Sequence, residues 1–155
     1  MKIYIIDQEL APAKGTAASA GIDLKARLDT LIKSGQEARV PCNVVIDYTH
    51  DASVRPAPDS LVAIVSARSS LFRNTGCIMT NGIGIIDPDF CGREDEIQMS
   101  LYNTGAEDVI IKRGDRIGQI LLMHNRLAKI EYLDNADNPN NRNRGGFGST
   151  GGYSK

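Results

Sequence analysis

Short alternating segments dominate the chain. In KIYIID (2–7), Ile3 and Ile5 fall on one face of an extended strand, and Tyr4 and Ile6 on the other. EIQMSLY (96–102) alternates more cleanly, with Ile97, Met99 and Leu101 set against Gln98 and Ser100. A period of two predicts half-buried strands. RIGQILLM (116–123), KIEYL (129–133) and the apolar run LVAIV (61–65) are further candidates. Turn signals lie between them: KSGQ (33–36), RPAPD (55–59), NTG at 74–76 and again at 103–105, and KRGD (112–115). Strands of this length between turn clusters predict an all-β sandwich or barrel. No segment sustains a helical period, although SSLFRN (69–74) suits one short turn of helix, and no internal repeat is evident. After Leu133 the composition shifts to Asn, Asp, Gly and Arg. The expected organisation is a β domain over 1–133 followed by a flexible C-terminal arm over 134–155.

Composition narrows the function classes. A chain of 155 residues with 41% hydrophobic content suits one globular domain with its own core. Eighteen basic residues against 19 acidic ones leave no broad electrostatic footprint for duplex nucleic acid, and no stable nucleic-acid partner is expected. The apolar runs are too short to span a bilayer, so no membrane association is expected. The N-terminus meets Asp7 and Glu9 too early for a signal peptide. Cys42, Cys77 and Cys91 form no CxxC and are odd in number, which points to a reducing, cytoplasmic (or, for a viral protein, intracellular) setting. His50 and His124, the only histidines, are far apart and predict no His-ligated metal site.

Several stretches carry candidate chemistry. NGIGIIDPDFCGRED (81–95) sets Gly82 and Gly84 inside an apolar run, where glycine marks a bulge or a close approach to the backbone. Asp87 ends that run. Partial burial there suits a general base, whereas the local sequence alone favours a plain DPD turn capped by Asp87. SARSSL (66–71) offers the Arg68 guanidinium and the Ser69 and Ser70 hydroxyls to an anion. The plainer reading is a helix N-cap by Ser69 or Ser70 with Arg68 solvated. In SAGIDLKA (19–26), Asp23 falls opposite Ile22 and Leu24 and reads by itself as solvent-facing. Gln119, in RGDRIGQI (113–120), reads as a sheet-surface glutamine. The tail NRNRGGFGSTGGYSK (141–155) admits three readings: an inert linker, a single-strand-binding arm, or a phosphate-cradling arm. In the last of these, Arg142, Ser149 and Thr150 are donors and Phe147 covers a flat ring.

Together these stretches resemble the five ordered motifs of the trimeric dUTP pyrophosphatase (dUTPase) family: AGIDLKA (20–26), ARSSL (67–71), NGIGIIDPDF (81–90), RGDRIGQI (113–120) and RNRGGFGSTG (142–151). The resemblance implies a jelly-roll-like β fold and a homotrimer with active sites built from three chains. It implies Mg²⁺-dependent hydrolysis of dUTP to dUMP and pyrophosphate, which keeps uracil out of DNA and supplies dUMP for thymidylate synthesis. Asp87 matches the general base that directs water at the α-phosphorus. Asn81 and the backbone around Gly84 and Ile86 match the hairpin that binds uracil. Phe90 matches the aromatic residue on the deoxyribose. Arg68, Ser69, Ser70 and Gln119 match phosphate contacts, and Asp23 matches the aspartate that holds hydrated Mg²⁺ through water. Arg142, Gly148, Ser149 and Thr150 match γ-phosphate ligands, and Phe147 the ring over uracil, on an arm that closes over substrate.

The chain departs from that pattern at several points. Phe90 replaces the usual tyrosine, Cys91 a common arginine, and Asn143 a usual glycine, while Arg93–Asp95 are inserted after Gly92. The insertion puts the local geometry of the hairpin's base in question. The dCTP deaminases share the fold and the Arg-Ser-Ser turn but use a glutamate where this chain has Ser100, so deamination ranks low. A non-enzymatic dUTPase-like regulator is the rival from another class.

Overall fold

The protein is described by a computed structural model over residues 2–47, 59–126 and 131–132. Its strands are β1 (Lys2–Ile5), β2 (Ile22–Lys25), β3 (Thr30–Ile32), β4 (Glu37–Pro41), β5 (Val44–Asp47), β6 (Asp59–Ala67), β7 (Cys77–Met79), β8 (Ile83–Ile86), β9 (Gln98–Asn103), β10 (Val109–Ile111) and β11 (Arg116–Arg126). One short helix, α1 (Leu71–Thr75), interrupts them between β6 and β7. The largest sheet runs β2-β11-β6-β8 and a second runs β4-β9-β7. The ribbons β1-β5 and β3-β10 complete an all-β, jelly-roll architecture in which every pairing is antiparallel.

The alternation read in the sequence survives as burial. Ile97, Met99 and Leu101 are buried, while Gln98 and Tyr102 are exposed. Ile3 and Ile5 pack against the core, and Tyr4 and Ile6 face outward. Leu24, Ile32, Val40, Ile111, Ile117 and Ile120 fill the space between the sheets. SSLFRN does enter a helix, which ends at Gly76 in the left-handed region, φ 68°, with its N–H donating to the Phe72 carbonyl at 2.7 Å. The three cysteines are free thiols, Cys42 and Cys77 buried and Cys91 half-buried. His124 lies exposed on β11.

Other expectations change. Gly84 marks no bulge: β6 and β8 pair in continuous register from Ala63–Ile86 to Ser66–Ile83. What approaches it is the core itself, since a side chain there would meet the Val65 Cβ at 3.3 Å. Gly82 is a turn residue at φ 68°. Of KIEYL only Glu131 and Tyr132 are described, and neither is in a strand. Residues 55–58 of RPAPD, His50 and the arm 134–155 lie outside the described residues.

The inserted residues form a self-closed turn. The Asp95 N–H donates to the Gly92 carbonyl at 2.9 Å, and the Gly92 N–H donates to Asp95 Oδ2 at 2.7 Å. Directly after it, Glu96 accepts from Arg27 Nε at 2.9 Å and Nη2 at 2.7 Å, and from the Asn43 N–H at 2.7 Å. Ile97 then bonds Cys42 and Val44 through its backbone. The three extra residues are therefore absorbed before the strand begins, and the hairpin's base stays anchored.

Candidate active site

Asp23 on β2, Gln119 on β11 and Ser66 on β6 are successive Cα partners across the largest sheet, with Ile83 of β8 next in the row. Laterally paired residues share a face, so these side chains line one side of the sheet. The local reading of Asp23 as solvent-facing is overturned, because it is only 8% exposed. Its N–H donates to the Ala13 carbonyl at 3.0 Å, and its carboxylate holds two guanidiniums, Arg68 Nε to Oδ1 and Arg116 Nη1 to Oδ2, each at 3.3 Å. Burying a carboxylate is tolerable only with such partners.

Two guanidiniums against one carboxylate leave a net positive charge, and each guanidinium keeps most of its donors for another anion. Beside them a cavity of about 380 Å³ is lined by Arg68, Ser70, Asn74, Lys112 and Arg116. Arg68 is thus ion-paired rather than merely solvated. Ser70 occupies the N-cap position of α1 without a side-chain cap bond, and Ser69 is exposed. Gln119 is half-buried and lies over Gly21, where a Cβ would come within 2.7 Å of its Oε1. Glycine at 21 therefore makes room for the Gln119 side chain.

Arg116 is the site residue that sequence reasoning missed, and a bulge explains why. Regular alternation puts residues 116 and 119 on opposite faces. The β2–β11 register shifts between Arg116 and Gly118, pairing Arg116 with Lys25 and Gln119 with Asp23. The bulge brings Arg116 round to the Asp23 face. A side chain at Gly118 would collide with Met99 Sδ and crowd the Ser66 carbonyl. RIGQI carried that signal in its glycine.

The hairpin residues form a second group. Asn81 is exposed at the turn into β8, and Gly84 is buried. Ile86 packs its side chain against the core and pairs with Ala63 at the end of the β6–β8 ladder. Asp87 is exposed, not partly buried, and sits in a turn closed by the Phe90 N–H donating to the Asp87 carbonyl at 3.1 Å, with Pro88 at the favoured second position. Phe90 is 40% exposed and lines a cavity of about 370 Å³ with Arg39, Ile86, Gln98 and Ser100.

The two groups do not meet within one chain. Asp87 lies beyond Ile86, which pairs with Ala63, whereas the Asp23 cluster sits at the Ser66–Arg68 end of β6. Four residues along a strand cover about 13 Å, and the three strand spacings from β2 to β8 add about 14 Å across the sheet. Between the groups, the same sheet face is apolar, with Ile83 52%, Ile85 61% and Met123 52% exposed beside Val62, Ile64 and Leu121.

No group of three or more Cys, His, Asp or Glu side chains suited to hold a metal occurs among the described residues. Asp23 already faces two guanidiniums, so a protein-only inner sphere does not fit. A hydrated cation carried on substrate phosphates, with Asp23 accepting from its water, does fit.

Fold and site together define a jelly-roll β protein with one cavity lined by arginine, lysine and serine side chains and a separate hairpin cavity. The chain belongs to the dUTPase family, whose model matches residues 8–151. It is 35% identical to a deoxyuridine 5'-triphosphate nucleotidohydrolase of Desulfitobacterium hafniense, over 97% of this chain and 95% of that protein. It is 31% identical to the enzyme of the same name from Shewanella sediminis, over 97% and 96%. The fold superposes on the crystal structure of the Streptococcus mutans dUTPase with TM-score 0.72 at 27% identity, covering 83% of this chain and 99% of that one. A mutant of the Staphylococcus bacteriophage 80alpha dUTPase with dUpNHpp gives TM-score 0.75 at 15% identity, covering 97% of each chain, a likeness of fold. Among the described residues no helix is long and apolar enough to cross a membrane.

Proposed function

We propose that this chain hydrolyses dUTP to dUMP and pyrophosphate, with Asp87 as the general base for water attack on the α-phosphorus. The observation that carries this reading is the family match over residues 8–151, joined to an exposed Asp87 whose backbone is set by a turn at the open end of β8. Arg68, Arg116, Ser69, Ser70 and Gln119 bind the phosphate chain, with Asp23 fixing both guanidiniums in place. Asp23 would hold a Mg²⁺ ion through water, and that ion, carried on the triphosphate, would supply neutralisation of phosphate charge. Asn81 and the hairpin backbone bind uracil in a space too tight for the thymine methyl, and Phe90 packs on the deoxyribose. The arm residues Arg142, Phe147, Gly148, Ser149 and Thr150 close over the γ-phosphate and the base, excluding water.

The working unit is a homotrimer. Phosphate-binding and base-bearing groups lie too far apart in one chain to share a substrate, and the apolar face between them suits burial against other copies. Pyrophosphate release with Mg²⁺ from dUTP, dCTP, dTTP and UTP, for the wild type and Asp87→Asn, tests the reading. Release from dUTP alone, lost in the variant, is expected. Binding of dUTP without turnover would favour a regulator on the same scaffold.

A further inference from the structure

We propose that Glu96 is a positioning residue for the Asp87 half of the site: its carboxylate, held by Arg27 and Asn43, sets where the segment carrying Asp87 and Phe90 stands. The inference rests on the dUTP reading and on Asp87 as its base, and it names the group that keeps that base in place across the inserted turn. Asp87 and Phe90 leave the sheet where β8 ends. Ile86 still pairs with Ala63, and no residue from 87 to 97 is in a strand. Among the described residues, every hydrogen bond of residues 87–95 stays within that stretch. These are the Phe90 N–H to the Asp87 carbonyl and the two bonds between Gly92 and Asp95. Such local turns fix their own shapes but not their place on the molecule. The Asp87 carboxylate has no hydrogen bond or ion pair among the described residues either. Its position is therefore set by the two ends of the segment, Ile86 on one side and Glu96 with Ile97 on the other.

That second end is rigid. Glu96 accepts from Arg27 through both oxygens, and its Oε1 also takes the Asn43 N–H. The Glu96 side chain is only 10% exposed. Two parallel bonds to one guanidinium fix orientation as well as distance. Arg27 is itself tied, its N–H donating to the Pro41 carbonyl at 2.8 Å. Asn43 is buried in the left-handed region, φ 67°, a backbone that asparagine tolerates. Its side chain closes on the Asp7 backbone in both directions, accepting the Asp7 N–H at 2.6 Å and donating to the Asp7 carbonyl at 2.9 Å. These bonds hold the Asn43 N–H toward Glu96. Ile97 adds backbone bonds to Cys42 and Val44, so Glu96 is the tie nearest to Asp87 rather than the whole anchor.

A general base works only when it is held within about 0.5 Å of its productive geometry, and a misplacement of about 1 Å can cost about 10² in rate. Asp87 gets no such precision from partners of its own carboxylate. It inherits precision from the backbone, and the backbone inherits it from Glu96. Arg68, Arg116 and the serine hydroxyls stand at the other end of the sheet and make no contact with this anchor. Loosening Glu96 should therefore slow the chemical step more than it weakens substrate binding.

The test measures the single-turnover rate of pyrophosphate release from dUTP, with steady-state kcat and KM. The proteins are the wild type, Glu96→Ala, Glu96→Gln, Arg27→Lys and the core control Ile32→Val. Glu96→Ala should lower the single-turnover rate and kcat about tenfold while KM changes less than about twofold. Glu96→Gln keeps an acceptor for the Asn43 N–H and should recover most of the rate. Arg27→Lys keeps the charge but loses the parallel pair, and should fall between the two. Ile32, buried between the sheets, makes no contact with the anchor. Its Val variant should melt lower and keep the wild-type rate, which separates a rate loss from lost stability. If Glu96→Ala does not fold, Arg27→Lys set against Glu96→Gln and Ile32→Val carries the same comparison. Wild-type single-turnover rates in Glu96→Ala and Arg27→Lys, with dUTP still hydrolysed, overturn the inference, and so does a rise in KM alone. A wild type that releases no pyrophosphate, or an Asp87→Asn variant as fast as wild type, overturns instead the reading on which the inference rests.

Discussion

Asp23 and Asp87 are both motif aspartates on one sheet, and the fold treats them in opposite ways. Asp23 is buried under two arginines. Asp87 stands exposed on a turn, and its carboxylate has no ion pair among the described residues. A carboxylate that must hold guanidiniums in place gains from being pinned, because preorganised donors need no rearrangement when the phosphates arrive. A carboxylate that must take a proton from water gains from being unencumbered. In the proposed trimer, one half of the site is thus finished within a single chain, and the other would be completed by groups from another copy.

The largest expected effect breaks the second half alone. Asp87→Asn should lower kcat by about 10²–10⁴, the usual contribution of a general base, with no change in melting temperature. Arg68→Ala should also be nearly inactive, for loss of phosphate binding. If the halves come from different chains, mixing the two dead variants and allowing subunits to reassort should recover activity. Random pairing makes about a quarter of the sites fully wild type. Recovery near zero in mixed trimers would place Asp87 and Arg68 in the same chain's site, against the geometry.

Removing the pin should separate stability from chemistry. Asp23→Asn leaves Arg68 and Arg116 without their shared anion, and a chemical-denaturation midpoint should fall by the equivalent of about 1–2 kcal/mol. The value is kept low because Arg116 is more than half exposed and its pair is screened by solvent. KM for dUTP should rise with it. The double variant Asp23→Asn, Arg116→Gln should lose less than the sum of the single losses if the pair is coupled.

How much of this was legible depended on how local each signal was. β1, β9 and β11 announced themselves by alternation, and the Asp87 turn by its DPD sequence. β3, β7 and β10 are three residues each, too short for any period to show. Asp23 was misread because alternation says which face a side chain takes, not what covers that face. Its cover is Ala13, Arg68 and Arg116, distant in sequence. Arg116 was missed because one bulge reverses its face. The five motifs marked the family, which local patterning could not, and the arm motif lies outside the described residues.

A smaller change sharpens the comparison by touching only the pinned half. Gly21→Ala would press on Gln119, whose Oε1 and Cβ lie 2.7 and 3.2 Å from the added carbon. Gln119 should swing away from the phosphate side. KM should rise several-fold, about the effect of one weakened hydrogen bond, while the preference for dUTP over dCTP stays intact. A change in base preference would mean that the two halves communicate through the sheet.

The smallest effect concerns what steadies the pinned half from outside. Arg113 Nη2 donates to Asp7 Oδ2 at 2.6 Å and to Glu9 Oε2 at 2.7 Å, while the Arg113 N–H donates to Asp29 Oδ1 at 2.7 Å. This ties the N-terminal segment to the turn that feeds Arg116 into β11. The Arg113 hydrogen bond is the main cause holding the Asp7 carboxyl below the usual carboxylate range, and Arg113 itself is held above its ordinary value by the same pair. A carboxyl depressed in the folded state stabilises it at pH values above its unfolded pKa, and that stabilisation is lost as pH falls through the lower, folded value. Arg113→Ala should therefore be slightly less stable than wild type at neutral pH, with the difference shrinking below about pH 4 and also in high salt. Hydrogen exchange offers the finer readout. Opening the tie should speed exchange in β2 and at the start of β11 and leave Ile83–Phe90 unchanged, since β8 of that hairpin pairs with β6 and with neither segment that the tie joins. Equal acceleration in both regions would mean that the two halves open as one cooperative unit.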